Sequence, residues 1–143
     1  WKVGPGQIIK WPTSSMTPGI EDILPVMRTD IVLEHREEQK RIVIDTKFTA
    51  ILKAGYFRKQ TLHSGYLYQI YAYLRSQECD GDPQSRSASG LLLHPAVEEQ
   101  VDESVVIQGH EIRFATVDLA AFASEIRTRL LGLLDLPVTG KNL

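Results

Sequence analysis

The feature that most constrains the fold is a pair of apolar stretches early in the chain, each of which carries one aspartate. Residues 27–33 read MRTDIVL and residues 41–48 read RIVIDTKF, and a polar tract lies between them. Short runs of branched apolar residues on either side of a polar connection predict a β-hairpin. We therefore expect strands at 26–34 and 41–48, and we expect the hairpin to bring Asp30 and Asp45 together.

Strand and helix patterns alternate along the rest of the chain. Apolar residues at helical spacing predict one helix over 63–77 and a second over 119–134, which Asp118 would cap. The other expected strands are 7–11, 89–95, 104–107 and 111–116, and the expected loops are 12–19, 53–61 and 76–89. The last two strands should form a second hairpin that turns at Gln108–Gly109. This order predicts an α/β fold with a mixed central β-sheet flanked by helices.

Composition narrows the class of protein. A chain of 143 residues is long enough to form one domain with a buried core. The formal net charge of −2 gives no overall attraction to nucleic acid, so any such binding needs a local basic patch. The single cysteine, Cys79, excludes an internal disulfide and a thiolate zinc site, and it favours a reducing, cytoplasmic compartment.

Two further observations concern the limits of the chain. No apolar run approaches the roughly 20 residues of a membrane span. The chain starts at Trp1 rather than methionine, and nothing there resembles a signal peptide. We therefore expect a C-terminal fragment of a longer protein, with no membrane partner.

Asp30, Asp45 and the two residues that follow Asp45 suggest a specific chemistry. Mg²⁺ prefers oxygen ligands, usually one or two carboxylates together with water and a substrate phosphate. Asp30 and Asp45 supply carboxylates, and the backbone carbonyl of Thr46 is a candidate third ligand. Lys47 follows Asp45 by two residues, so in a strand its side chain lies on the same face. From there its ammonium group could orient an attacking water or stabilise charge on a phosphate.

The pattern acid-x-lysine is weak on its own, because Glu38-Gln39-Lys40 matches it inside a run of charges. Asp45 differs because it follows Ile42-Val43-Ile44, a strand that should be buried. Charges at the end of a buried strand need a reason. Spacing alone leaves a second interpretation open, in which these are surface residues at strand ends that pair with nearby arginines.

Two further groups of residues could contact a substrate. Gln69 and Tyr73 are four residues apart on the first predicted helix and therefore share one face of it. They could hydrogen-bond a phosphate or a water, although an aromatic helix face is more often part of the core. Lys53, Arg58 and Lys59 form a basic cluster before that helix, which suits contact with backbone phosphates or is simply a solvated loop.

Together, Asp30, Asp45-x-Lys47 and Gln69-x-x-x-Tyr73 resemble the PD-(D/E)xK nuclease superfamily in its RecB-like branch. The run 27–73 is more specifically similar to the nuclease domain of the McrC family. The resemblance implies a restriction-endonuclease-like core over residues 1–143. It also implies Mg²⁺-dependent endonuclease activity on DNA, with Mn²⁺ as a substitute metal. The residues to which it gives catalytic roles are Asp30, Asp45, Lys47 and Gln69.

Two positions depart from this pattern or extend it. Thr29 stands where the motif usually has proline. That residue sets a bend in the strand and is not a ligand, so the change should be tolerated. The family often has a further acid on an upstream helix, for which Glu21 is a weak candidate.

The McrC resemblance also implies partners. The domain would be the cleavage subunit of a GTP-driven complex that restricts methylated DNA. A McrB-like, GTP-hydrolysing AAA+ motor would bind through a segment upstream of this chain, and the domain alone should cut DNA poorly. Two alternatives stay open: a catalytically silent nuclease-like module for DNA binding or assembly, and a RecB-like nuclease of a DNA repair or mobile-element system. Binding of a divalent metal would distinguish the McrC-like nuclease from a silent module. A GTP-hydrolysing partner would distinguish it from a nuclease of another RecB-like system.

Overall fold

A computed structural model describes residues 1–55 and 59–135 of the chain. In chain order, the elements of this part are β1 (Lys2–Pro5), β2 (Ile8–Ile9), a 3₁₀ turn (Ile20–Asp22), β3 (Met27–Arg28), β4 (Ile31–His35), β5 (Lys40–Thr46), β6 (Leu52–Ala54), β7 (Gln60–Leu62), α1 (Ser64–Ser76), α2 (Pro83–Arg86), β8 (Ser89–Pro95), β9 (Asp102–Ile107), β10 (His110–Val117) and α3 (Ala123–Asp135). None of these helices is both long and apolar enough to span a membrane.

The centre of the fold is a six-stranded sheet in the order β1-β4-β5-β8-β10-β9. Strands β5, β8 and β10 run parallel to one another, and the outer pairs are antiparallel. Helix α1 is the crossover between β5 and its parallel neighbour β8, as a parallel pair requires. The predicted α/β fold with a mixed central sheet and flanking helices is confirmed, and it matches a restriction-endonuclease-like core.

The two faces of the sheet carry separate apolar clusters, because successive side chains of a strand point to opposite faces. Val43 and Leu92 pack with Ile70 of α1 on one face. Ile44 packs with Leu133 of α3 on the other face. Asp45 and Lys47 alternate in step with Val43, so both side chains point to the face that α1 covers. This alternation decides where the acid and the lysine lie.

Helix α1 packs on β8 at Gly90, where the missing side chain leaves room for Ile70. A β-carbon built at Gly90 would lie 2.7 Å from Cδ1 and 2.9 Å from Cγ1 of Ile70. Ile70 is fully buried. The absence of a side chain at this strand position therefore sets the distance between the helix and the sheet.

Several predicted elements agree closely with the structure. The strand 89–95 and the first helix match β8 and α1, and the first hairpin forms as an antiparallel pair of β4 and β5. The second hairpin turns at Gln108–Gly109, where φ is 50° and 87°. Two positive φ values are the signature of the two-residue turn that suits the twist of a hairpin.

Other predicted elements are wrong in their boundaries. The strand 7–11 is replaced by the shorter β1 and β2, and α2 interrupts the predicted loop 76–89. The predicted loop 53–61 contains the antiparallel pair β6 and β7. This pair forms because Leu52 and Leu62 pack against the cluster under α1, which attaches both short strands to the core.

The predicted final helix begins four residues later than expected. Asp118 caps only a preceding turn, in which its Oδ1 accepts a hydrogen bond from the Ala120 N–H. The start of α3 is instead fixed by Glu125, whose carboxylate accepts a hydrogen bond of 3.0 Å from the Phe122 N–H. Leu119 and Phe122 therefore precede the helix and are exposed.

Candidate active site

Asp30 reaches the site because the predicted strand 26–34 is broken between β3 and β4. The break is fixed by Thr29, whose N–H donates to the Gln7 carbonyl at 3.1 Å. The Gln7 N–H donates in return to the Thr29 hydroxyl at 3.2 Å. Proline has no N–H and could not make the first bond. The departure of Thr29 from the family motif therefore has a physical reason in this chain.

The Asp30 carboxylate lies beside the end of β5. Its Oδ2 accepts hydrogen bonds from the backbone N–H and the hydroxyl of Thr46, each at 2.7 Å. In the register of β4 and β5, Ile31 faces Ile44, so Asp30 comes opposite Asp45. The carboxylate of Asp30 is exposed to solvent. The hairpin thus brings the two aspartates together, as the sequence predicts.

Asp45 is the buried acid of the pair, with only 3% of its surface exposed. The Lys47 ammonium lies 2.7 Å from its Oδ2. The two groups form an ion pair, and Oδ2 makes no further hydrogen bond within residues 1–55 and 59–135. Burial raises the pKa of Asp45, the Lys47 ion pair opposes this shift, and the nearby Asp30 carboxylate adds to it.

Helix α1 holds the lysine from the other side. Lys47 Nζ donates to Gln69 Oε1 at 3.1 Å, and Gln69 Nε2 donates to the Tyr73 hydroxyl. Tyr73 is buried in the cluster under α1, so it contacts the site through Gln69 rather than through its own surface. The Lys47 ammonium also lies 4.9 Å from the centre of the Tyr66 ring. Three side chains of one helix therefore fix the position of Lys47.

His94 lies at the site, although the sequence analysis did not select it. It follows Leu92, the partner of Asp45 on β8, by two residues and therefore lies on the same face. Its Nδ1 lies 2.8 Å from the Thr49 carbonyl, and its ring lies 5.7 Å from that of Tyr66. Burial lowers the pKa of His94, while the bond to the Thr49 carbonyl acts in the opposite direction. A histidine at the end of the apolar strand 89–95 was the signal that could have found it.

The basic cluster is only partly described. Lys53 lies on β6 and Lys59 immediately precedes β7, and both are exposed. Arg58 lies outside the described residues. Both lysines lie in the segment that connects Lys47 to α1.

Other potential metal ligands do not join the two aspartates. Glu21 is exposed in the 3₁₀ turn Ile20–Asp22. Across residues 1–55 and 59–135, no three His, Cys, Asp or Glu side chains are grouped closely enough to hold a metal ion. The described residues therefore give no support to Glu21 as a third acid, and that assignment stays a prediction. What remains is a two-carboxylate site in which a lysine is the nearest cation.

The mixed sheet, its crossover helix and the acid–acid–lysine edge define a restriction-endonuclease-like fold. The chain is similar to the type IV methyl-directed restriction enzyme EcoKMcrBC of Escherichia coli (strain K12), with 30% identity over 127 residues. The aligned region covers 89% of this chain and 35% of that protein, so the chain spans about a third of the relative's length. No family model matches the chain. The resemblance to McrC is confirmed over nearly all of the chain.

Proposed function

We propose that this chain is the DNA-cleaving domain of a restriction system and hydrolyses phosphodiester bonds with a divalent metal. The observation that carries the proposal is the meeting of Asp30, Asp45 and Lys47 at one edge of the sheet. One carboxylate is exposed, and the other is buried and paired with the lysine. This arrangement suits a reaction in which negative charge develops on a phosphate.

The aspartates fit Mg²⁺, with Mn²⁺ as a substitute. The Oδ2 atom of Asp45 is buried beside the Lys47 ammonium and accepts no aligned hydrogen bond in the described residues, so a metal ion could share it with the lysine. Asp30 contributes a second, solvent-exposed carboxylate, and the Thr46 carbonyl is the proposed third ligand. Two carboxylates with waters are an ordinary ligand set for Mg²⁺. When bound, the ion would activate a water and neutralise charge on the phosphate.

The other residues would orient the reacting groups. Lys47 would place its ammonium near the attacked phosphate, and Gln69 would keep it there with the support of Tyr73. Lys53, Arg58 and Lys59 would contact backbone phosphates without reading sequence. The catalytic set is therefore Asp30, Asp45, Lys47 and Gln69.

The proposed setting is a larger complex in the cytoplasm. The similar Escherichia coli protein is described as a methyl-directed restriction enzyme. A chain with a formal net charge of −2 should hold DNA weakly by itself. We therefore propose that a McrB-like, GTP-hydrolysing AAA+ motor delivers the DNA and that methylated bases are recognised outside this domain.

The chain offers a matched control for the catalytic pair. Glu38 and Lys40 have the same acid-x-lysine spacing and form an ion pair of 2.5 Å, but both side chains are exposed at the tip of the first hairpin. The experiment compares Asp45→Asn and Lys47→Ala with Glu38→Gln and Lys40→Ala in the full-length protein with its motor. Cleavage of methylated and unmethylated DNA is measured with Mg²⁺, Mn²⁺ and a chelator.

The expected result is metal-dependent cleavage that the first two variants abolish and the two control variants retain. Asp45→Asn should also lose metal binding, whereas Lys47→Ala should keep much of it. Wild-type cleavage by the Asp45→Asn variant contradicts the proposed site. Metal binding and DNA cleavage that are both absent from the wild-type complex would favour a silent assembly module.

A further inference from the structure

Phe48 directly follows Lys47 and is 92% exposed, more than any other large apolar side chain in the described residues. Single exposed apolar side chains are common and usually need no explanation. Phe48 is different because the backbone on both sides of it is held firmly. A large apolar ring exposed to water directly after the proposed catalytic lysine is the feature that needs an explanation.

The residue before Phe48 is fixed to the sheet. The Lys47 N–H donates to the Leu93 carbonyl of β8 at 2.9 Å, which continues the ladder between β5 and β8. The Lys47 side chain is held by Asp45 and Gln69. Phe48 therefore cannot move far without moving the lysine.

The residues after Phe48 are fixed as well. The Thr49 carbonyl lies 2.8 Å from His94 Nδ1, and the Thr49 hydroxyl lies 3.3 Å from the Tyr66 hydroxyl. Two residues further on, Ile51 is buried in the cluster under α1. The ring of Phe48 thus projects from an anchored corner of the backbone, so binding a ligand would cost the rotamer freedom of the ring but little backbone entropy.

The position of the ring indicates what it would contact. Adjacent Cα atoms are about 3.8 Å apart, and stacked bases of one DNA strand rise by about 3.4 Å each. Lys47 and Phe48 both follow the last residue of β5, so a DNA strand with a phosphate at Lys47 passes the same edge of the sheet from which the Phe48 ring projects. A phenyl ring presents a flat apolar face, which can stack on the face of a base. It has no charge or hydrogen-bond donor with which to bind a phosphate.

We propose that Phe48 stacks on a nucleobase beside the scissile phosphate and holds that base out of the duplex stack. This inference rests on the proposed DNA cleavage at Asp45 and Lys47. Aromatic side chains bind bases in this way without reading sequence, because every base has a π-face. Apolar side chains also enter base steps as wedges and unstack them. Phe48 would thereby position the cleaved strand, whereas the phosphate contacts would provide affinity.

The test uses the full-length protein with its motor and DNA that carries 2-aminopurine next to the cleavage position. Phe48→Ala is compared with Phe48→Trp and with Phe122→Ala. Phe122 is the matched control, because it is 79% exposed directly before α3 and lies outside the stretch from Asp30 to His94 that carries the site. Binding is measured in Ca²⁺, cleavage in Mg²⁺, and the fluorescence of 2-aminopurine reports unstacking of the base.

Phe48→Ala should weaken binding or raise KM by roughly 5- to 150-fold, in the range for loss of one base–aromatic stack. The fluorescence change on binding should disappear in that variant and return in Phe48→Trp, while Phe122→Ala behaves like wild type. Equal binding and fluorescence for Phe48→Ala and Phe122→Ala, with wild-type cleavage intact, overturns the stacking proposal alone. A wild-type complex that neither binds nor cleaves DNA overturns the proposed function and this inference with it.

Discussion

Asp30 and Thr46 are joined by two hydrogen bonds of 2.7 Å that end on the same carboxylate oxygen. One comes from the Thr46 backbone and the other from its hydroxyl. The pair connects the break after β3 to the last residue of β5. The exposed acid is therefore held on the strand that carries the buried acid, so a change at Thr46 should act on Asp30.

Thr46→Val removes the hydroxyl and keeps the size, the β-branch and the backbone N–H. Asp30 should then be less well oriented, and metal affinity should fall by about 10- to 100-fold, as for other residues that orient a ligand. Calorimetric titration with Mg²⁺ measures this change. Thr128→Val is the control, since Thr128 bonds only within α3 in the described residues. Unchanged Mg²⁺ affinity in Thr46→Val contradicts the role given to the hydroxyl.

Gln69→Ala should lower kcat more than it raises KM. The substitution removes the acceptor that holds Lys47 at 3.1 Å, and a catalytic group displaced by about 1 Å can cost about 100-fold in rate. Gln77→Ala is the matched control, because Gln77 is exposed directly after α1. Steady-state kinetics of both variants separate the two parameters. A loss confined to KM would mean that Gln69 binds substrate and does not position the lysine.

Asp45→Asn should stabilise the metal-free protein at neutral pH relative to wild type. Burial raises the folded-state pKa of Asp45 above 3.8, so the folded state binds this proton more tightly than the unfolded state. Its contribution to stability is therefore complete below pH 3.8 and is lost as the pH rises through the raised pKa. Urea unfolding in a chelator, from pH 4 to 8, should show wild type losing stability relative to the variant.

Glu38→Gln gives the opposite sign and serves as the control for this pH series. The hydrogen bond and charge of Lys40 lower the pKa of Glu38 below 4.5. Wild type should then lose stability relative to Glu38→Gln as the pH falls through that region, and only slightly, because the pair is exposed. The same sign for both variants would contradict the burial argument for Asp45.

His94→Asn and His94→Gln distinguish the two ring nitrogens. The Thr49 carbonyl only accepts, so His94 Nδ1 must carry the proton. Asparagine places an amide near Nδ1 and should keep this bond, whereas glutamine reaches the Nε2 position. His94→Gln should therefore destabilise the fold by about 1–3 kcal/mol, the cost of a buried group left unpaired, and lower cleavage. Urea unfolding and amide exchange at residues 49–51 measure the effect, and the reverse order of the variants contradicts it.

Gly90→Ala should destabilise the fold by about 1–3 kcal/mol through overpacking. The new methyl would lie 2.7 Å from Cδ1 of Ile70, which is fully buried and would have to shift within its cluster. Gly65→Ala is the matched control, because nothing lies within 4 Å of that position at the start of α1. That variant should gain about 0.4–1 kcal/mol from reduced unfolded-state entropy. Thermal unfolding of both variants measures the two effects. Equal shifts in Tm would contradict tight packing of α1 on β8 at Gly90.

Local sequence patterns predicted the parts of the fold that depend on local physics. The hairpin, α1 and β8 follow from runs of apolar residues with clear periods, and the same period placed Lys47 on the face of Asp45. The break at Thr29 was not predictable, because it depends on hydrogen bonds to Gln7, 22 residues away. The pair β6 and β7 was missed for the same reason, since contacts with the core rather than strand propensity hold it.

The site shows the same division between local and distant contacts. Asp30, Asp45, Lys47 and Gln69 were found from spacing and from a resemblance, both of which operate along the chain. His94 was missed because its role depends on the neighbour of Asp45 across a parallel pair, and α1 separates the two strands in sequence. The residues that pair across two parallel strands are far apart in sequence, so local sequence patterns do not predict which of them face each other.

Every side chain placed at the site comes from one uninterrupted stretch, from Asp30 to His94. The strands β9 and β10 and the helix α3 extend the sheet and cover its far face. Chemistry therefore restricts one portion of the polypeptide, whereas the contacts of residues 96–135 in the structure are those of packing and of the sheet. Substitutions, insertions or fusions after Pro95 should change what the domain is joined to and leave its reaction unchanged. A unit built in this way is portable between assemblies.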